Sequence, residues 1–399
     1  MELNPFAHEF HEDPYPTYRW LRDNAPLYRN EALDFFALSR FRDVVAASHD
    51  WETYSSAEGT TVERMDARMF ELTPMMIFAD PPRHDRLRKL VNKGFTPRRT
   101  AELEPFVRAT VVRLLEPLVE RGGGDFVQDF STPLPMEVIF TVLGVPDADR
   151  VRLRHWMDLS LERDRDTPVI PARAMEAMAA MIGYWFELLS DLRRHPNDGL
   201  IGALIEAEVE TEDGGTTRLT DGEIVGFCAL LGSAGNETVT KLLANAIVLL
   251  ARHPAEYAKI LADPGRIPGA AEEVLRYTSP SQYQGRTVTR DVEWYGQRVP
   301  QGSRILMLTA SANRDEREFA DPDRFDVDRK VPIALGFGQG IHFCLGAALA
   351  RLESRVALEE FTRRFPRYAV DDARCVRVHM SNVHGYESVP FAADRSGGG

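Results

Sequence analysis

FGQGIHFCLGAALARLE, Phe337 to Glu353, decides how this chain is read. It sets one of only three cysteines, Cys344, among Gly338, Gly340 and Gly346, with His342 and the rings of Phe337 and Phe343 close by in sequence. Glycine permits conformations and close approaches that a Cβ forbids, so peptide N–H groups can turn toward the sulfur or toward a flat ligand. The run from Leu345 to Arg364 has helical periodicity. It places Cys344 at a helix N-terminus, where the dipole and free N–H groups favour thiolate over thiol. Three roles compete for such a sulfur: structural thiol, nucleophile and metal ligand. The first accounts for the phenylalanines and leaves the glycines unexplained. The second needs an oriented base, and His342, two residues away in a loop, reaches the sulfur poorly, with no further orienting group apparent in the sequence.

Outward from that loop, the 399 residues are 44% apolar and 27% charged, the balance of an ordinary globular protein. The opening MELNPFAHEFHEDPYP carries acids and prolines where a secretory signal needs a basic start and an apolar run, and no later stretch approaches a membrane span. A cytoplasmic location is expected. Cys228, Cys344 and Cys375 are unevenly spaced and form no CxxC pair, which supports neither a disulfide framework nor a structural zinc site. A net charge of -13 argues against nucleic acid as a partner. One stretch departs from that average: Arg83, Arg86, Arg88, Lys89, Lys93, Arg98 and Arg99 stand against the single acid Asp85. Such a run is either a solvated helix face or a patch that attracts an acidic partner.

Most of the chain shows helical periodicity, so the fold class is mainly α with a small β-rich subregion. Helices are predicted over Tyr15 to Asn24, Arg86 to Lys93, Ala101 to Arg121, Pro133 to Leu143, Val151 to Leu161, Ala172 to Arg194, Leu200 to Glu208 and Asp221 to Ala251. Thr220 and Glu223 give the last of these a capping signal. Strands are predicted over Leu33 to Ser39, Gly285 to Val288, Gln297 to Val299 and Arg304 to Leu308. TEDGGTTRL, Thr211 to Leu219, reads as a flexible loop, and residues 394–399 as a disordered tail. With no internal repeat and no long polar linker, residues 1–399 are expected to form a single domain.

A lone thiolate suffices in one metal role, as axial ligand to haem iron, where its electron donation favours O–O cleavage. FGQGIHFCLG resembles the haem-thiolate loop of the cytochrome P-450 family, F-G-x-G-x-H/R-x-C-x-G. A second segment, LLGSAGNETVTKL, Leu230 to Leu242, places Ala234 and Gly235 ahead of Glu237 and Thr238 in an otherwise apolar helix. A carboxylate beside a hydroxyl there is costly unless it bonds or acts, and small residues leave room for a ligand near the backbone. It resembles the family's A/G-G-x-D/E-T segment, which implies catalytic roles: Thr238 steadying dioxygen and Glu237 in the proton relay. Asn236 and Val239 depart from the commoner pattern. In EEVLR, Glu273 and Arg276 stand at i, i+3 and resemble the family's structural E-x-x-R pair. DPPRHDRLR, QGRTVTRD and the cysteine loop match the stretches that hold the haem propionates, implying His84, Arg88, Arg286 and His342. The other cofactor contacts implied are Ala234, Gly235, Phe337, Gly338 and Gly346, with Cys344 on the metal. ANRDEREFADPDRFDVDR, from Ala312, and the C-terminal SNVHGYESVPF follow in the family's order, with His384 where an arginine is frequent.

The resemblance covers essentially the full chain. It implies the cytochrome P-450 fold and a soluble bacterial-type haem-thiolate monooxygenase that uses heme b (iron protoporphyrin IX) and dioxygen. One oxygen atom would enter a hydrophobic small molecule, such as a polyketide, terpenoid, steroid or lipid of secondary metabolism, by hydroxylation or epoxidation. The sequence contains no flavin or iron–sulfur domain, so electrons from NAD(P)H would arrive through a ferredoxin or flavodoxin-type donor docking near Arg83 to Arg99. The implied substrate contacts are Met76, Ile77, Phe78, Met178, Met181, Leu230, Ser281, Gln282, Tyr283, Asn382 and Val383, each of which also suits an ordinary core. A monomer is the default. A non-catalytic haem-thiolate sensor would not need Glu237 and Thr238 together. A peroxide-driven peroxygenase often replaces that pair, and would turn over with hydrogen peroxide alone.

Overall fold

The computed structural model describes residues 1–65, 71–92, 95, 97–161, 171–197, 199–210, 215–331, 333–380 and 382–394. The chain divides into two compact units, each assembled from separated stretches. Met1–Arg64, Leu103–Leu134 and the chain from Thr238 onward form the first; Met65–Glu102 and Pro135–Glu237 form the second.

The first unit is organised on a five-stranded sheet in the order Leu27–Asn30, Phe35–Leu38, Arg304–Met307, Gln284–Val288, Tyr54–Ser55. Its two central strands, FFAL and RILM, pair in parallel and are buried at every residue. Successive side chains alternate between faces. Phe36, Leu38, Ile305 and Met307 therefore pack with Phe41, Val44 and Phe319. Phe35, Ala37 and Leu306 pack instead with Leu3, Tyr18 and Leu21. Both faces are covered, which explains why these strands read as unbroken apolar runs. All four predicted strands are present, with ends shifted by two residues or fewer.

An internal charge network tethers the polypeptide just ahead of the cysteine loop. On the helix Ile267–Tyr277, Arg276 Nε and Nη2 donate to the two oxygens of Glu273 at 2.7 and 2.8 Å, and both side chains are fully buried. Arg276 Nη1 also donates to the carbonyls of Asn313 and Pro322 at 2.9 and 3.0 Å. Glu273 Oε1 accepts from Asp326 N–H at 3.1 Å and from Arg329 Nε at 3.2 Å. The 313–329 segment is thus pinned by a charge pair with its hydrogen-bonding capacity filled, the condition under which a buried pair is tolerated. Asn313 Oδ1 in turn accepts from Leu335 N–H at 2.8 Å, two residues before Phe337.

In the second unit the helices Asp147–Leu161 and Ala172–Arg194 pack together. The long helix Asp221–Arg252 contributes its first half to this unit and its second half to the other. Its start is closed reciprocally: Glu223 N–H donates to Thr220 Oγ1 at 3.2 Å, and Thr220 N–H donates to the Glu223 carboxylate at 2.9 Å. Gly222 and Gly226 then allow the 72–74 backbone to approach closely. A Cβ at those positions would lie 2.2 Å from Leu72 O and 2.5 Å from Pro74 O.

The stretch expected to be a loop differs in part. Residues 211–214 lie outside the described ones, and Thr216–Arg218 is a strand paired with Glu208–Glu210, where Arg218 meets Glu208 across the hairpin. The expected tail is ordered at its first residue, where Asp394 N–H donates to Arg367 O at 3.0 Å; residues 395–399 lie outside the described ones. Among the described residues no helix is long and apolar enough to cross a membrane.

Candidate active site

In the first unit Cys344 lies two residues before Gly346, the N-cap of the helix Ala347–Arg364. Its N–H donates to Phe337 O at 2.8 Å, closing the loop on itself. Gly338 and Gly340 have φ of 71° and 70°, in the left-handed region, and a Cβ at Gly340 would strike Ser48 O at 2.2 Å. These two positions require glycine. The sequence pattern that flagged them therefore reports backbone geometry. Every residue from Gly336 to Gly346 is half-buried, between buried Leu335 and Ala347. Phe337 and Phe343 have centroids 6.4 Å apart, and Arg351 caps the Phe337 ring at 4.5 Å. A side chain at Gly346 would begin 4.0 Å from Cys344 Sγ.

Two of the predicted anion partners belong to this neighbourhood. His342 Nε2 and Ser56 Oγ are 2.7 Å apart, and Ser56 follows the strand Tyr54–Ser55, which pairs with the strand carrying Arg286. Arg286 is buried, with Nη1 donating to Gly285 O at 2.7 Å. Beside it, buried Arg304 donates through Nε to Thr61 O at 2.7 Å, and desolvation lowers its pKa to about 10. The other two cysteines are differently placed. Cys228 is fully buried and burial drives its thiol far up; Cys375 is half-buried and raised by desolvation and then by Asp372.

In the second unit His84 is buried on the helix Arg83–Asn92, with Nδ1 3.0 Å from Asp85 Oδ1, and Arg88 is half-buried one turn further on. On the long helix a strip opens at helical spacing. Ala229 and Leu230 are half-buried, Ser233 and Ala234 exposed, and Gly235, Glu237 and Thr238 half-buried, whereas Glu223 to Cys228 and Val239 to Leu250 are buried. The strip is small and polar at its centre, which suits close approach of a ligand to the backbone. Asn236, on the buried side, has no hydrogen-bond partner for either amide atom among the described residues.

The remaining sequence-derived contacts divide between the units. Met76, Ile77 and Phe78 form one 3-10 turn; Ile77 and Phe78 are half-buried, as are Met178 and Met181 on Ala172–Arg194. In the first unit Gln282 is committed internally, accepting from Tyr18 OH at 3.0 Å and donating to Ser279 O at 2.6 Å, and Tyr283 belongs to the apolar cluster around Tyr18. Val383 bridges to Ser281, and Asn382 O accepts from Gln282 N–H at 2.9 Å. Sequence reasoning missed Ser56, Arg304 and Arg351. Nothing local marks Ser56, whose partner lies 286 residues away. Of the basic run, Arg86 pairs with Glu223 and Arg98 with Glu102, Arg83 and Lys89 are exposed, and Lys93 lies outside the described residues.

A single thiol presented on a glycine-built loop that also carries an imidazole, with guanidinium donors on the adjoining strands, fits an iron porphyrin with anionic edge groups. Comparison with known proteins agrees. Residues 268–374 match the family model described as Cytochrome P450. Over 394 residues the chain is 45% identical to a cytochrome P450 of Mycobacterium tuberculosis numbered 123, covering 98% of this chain and 97% of that protein. It is 37% identical to the cytochrome P450 monooxygenase PikC of Streptomyces venezuelae, covering 98% and 94%. The crystal structure of CYP109E1 from Bacillus megaterium in complex with corticosterone superposes with a TM-score of 0.86 at 32% identity, covering 96% of this chain and 99% of that one.

Proposed function

The chain belongs to the cytochrome P450 family of monooxygenases, and from that premise we propose that it hydroxylates or epoxidises a hydrophobic small molecule, with electrons from a separate ferredoxin or flavodoxin-type donor. The observation that carries this reading is the Cys344 loop, whose two left-handed glycines and closing N–H bond present one sulfur at the head of a helix. Haem, when bound, supplies the redox chemistry that activates dioxygen.

The chain's own residues divide the remaining work. Cys344 Sγ would hold the metal. Arg286 and His342 would offer charge-assisted hydrogen bonds to the propionates, a role the family resemblance also implies for His84 and Arg88. Phe337, Gly338 and Gly346 shape the loop, and Ala234 and Gly235 leave space at the long helix. Thr238 Oγ1 donates a hydrogen bond to the oxygen co-substrate, and the Glu237 carboxyl carries protons toward it. Met76, Ile77, Phe78, Met178, Met181 and Leu230 would contact the substrate, a role the family resemblance also implies for Ser281, Gln282, Tyr283, Asn382 and Val383. The relative solved with corticosterone supports an apolar, steroid-sized occupant. Arg83 and Lys89 receive the electron donor.

Two measurements test this. Cys344→His should abolish the thiolate-type Soret band of the reduced carbon-monoxide complex while haem is retained; an unaltered band overturns the assignment. Thr238→Ala should lower product formed per electron consumed on the order of tenfold and release peroxide instead. If hydrogen peroxide alone drives wild-type turnover as fast as a ferredoxin system does, the peroxygenase reading replaces this one.

A further inference from the structure

We propose that His8, Glu12 and His379 form a binding site for a divalent transition-metal ion of the zinc or nickel class, joining the first helix of the chain to the segment that leads into its C-terminal hairpin. None of the three has a part in the proposed oxygen chemistry.

His8 and Glu12 are the first and last residues of the helix His8–Glu12, four apart and therefore on one face. His379 follows the strand Val376–Arg377, whose partner is Tyr386–Ser388. One potential ligand atom from each side chain lies within 4.8 Å of the other two. The His8 and His379 rings have centroids 4.3 Å apart with planes tilted 34°, and His379 Nε2 is 3.9 Å from Glu12 Oε1. A tetrahedral ion with bonds of about 2.0–2.1 Å places its donors roughly 3.3 Å apart. All three side chains are exposed, so small rotations close the difference. His11, buried beneath them, meets the His379 ring edge-on at 5.2 Å and fixes its inner side.

The donor set selects the ion. Two imidazoles and one carboxylate suit zinc or nickel, whereas magnesium and calcium prefer oxygen ligands. Three protein ligands leave a coordination position for water, as in open zinc sites. Because the ligands come from opposite ends of the sequence, an ion bound only in the folded state stabilises the junction of the two termini.

The test uses holoprotein washed with EDTA and titrated with Zn2+ against a chromophoric chelator. One Zn2+ per chain should bind with Kd on the order of micromolar or tighter, and His8→Ala, Glu12→Gln and His379→Ala should each weaken it about tenfold or more. Zn2+ should raise the thermal midpoint of the wild type and not of the His8→Ala/His379→Ala double variant, whose reduced carbon-monoxide spectrum verifies its fold. Unchanged Zn2+ affinity in the double variant, wild-type binding only at millimolar concentration, or an equal response to Mg2+ overturns the proposal.

Discussion

At the scale of the single residue, Glu353, at the end of the Phe337–Glu353 stretch, is a buried acid without a full set of partners. It is 3% exposed, its Oε2 has no hydrogen-bond partner among the described residues, and desolvation pushes its pKa up to about 8. The native chain therefore holds a proton that the unfolded chain releases at an ordinary carboxyl pKa of 4.5. Stability from this group is full below that value and falls as pH rises toward about 8, by up to about 1.4 kcal/mol per pH unit. Glu353→Gln should flatten that slope and leave the protein more stable than the wild type at pH 8, read by urea midpoints across the range. Parallel slopes in the two proteins would contradict it. The sequence could not show this. A glutamate nine residues beyond Cys344 reads as a solvated helix position until the packing of Leu352, Val356 and Ala357 around the helix is known.

At the scale of elements, legibility followed the range of the interactions involved. Ala172–Arg194 and Tyr15–Asn24 appear with the predicted bounds, because a helix is specified largely by its own periodicity. The stretch read as Ala101 to Arg121 is instead two helices, Pro97–Glu102 and Glu104–Arg121, with Pro105 in the first turn of the second. A proline lacks the N–H to continue a helix and suits a new start. Thr216–Arg218 was hidden inside a loop-like composition because its pairing with Glu208–Glu210 is a tertiary fact. The cap that was legible yields a prediction: Thr220→Ala should cost about 1 kcal/mol in unfolding free energy. The close approach that was not legible yields another. Gly226→Ala places a Cβ 2.5 Å from Pro74 O, two residues before Met76–Phe78. It should weaken ligand-induced spin shifts several-fold more than Gly183→Ala, where a Cβ meets nothing within 4 Å.

The whole molecule combines a net charge of -13 with an internal charge network and one local basic run. Arg276→Ala leaves Glu273 buried with its principal partner gone, a loss of about 3–5 kcal/mol. Unfolding midpoints should fall accordingly, with haem loss accompanying them because the same network tethers the 313–329 segment. At long range so acidic a protein would repel the acidic electron donor proposed above, so attraction would have to act within a screening length of about 8 Å at physiological salt. Lys89→Glu should therefore slow the first electron transfer several-fold at low ionic strength and much less at high; equal slowing at both would remove Lys89 from the docking face. The cysteines carry a practical corollary. Cys228 is sealed and Cys375 is raised by desolvation, while the proposed prosthetic group would cover Cys344 when seated. Alkylation counted by mass spectrometry should then report occupancy directly, one sulfur modified at most in the loaded protein and a second on extraction, making the chain its own gauge of cofactor content.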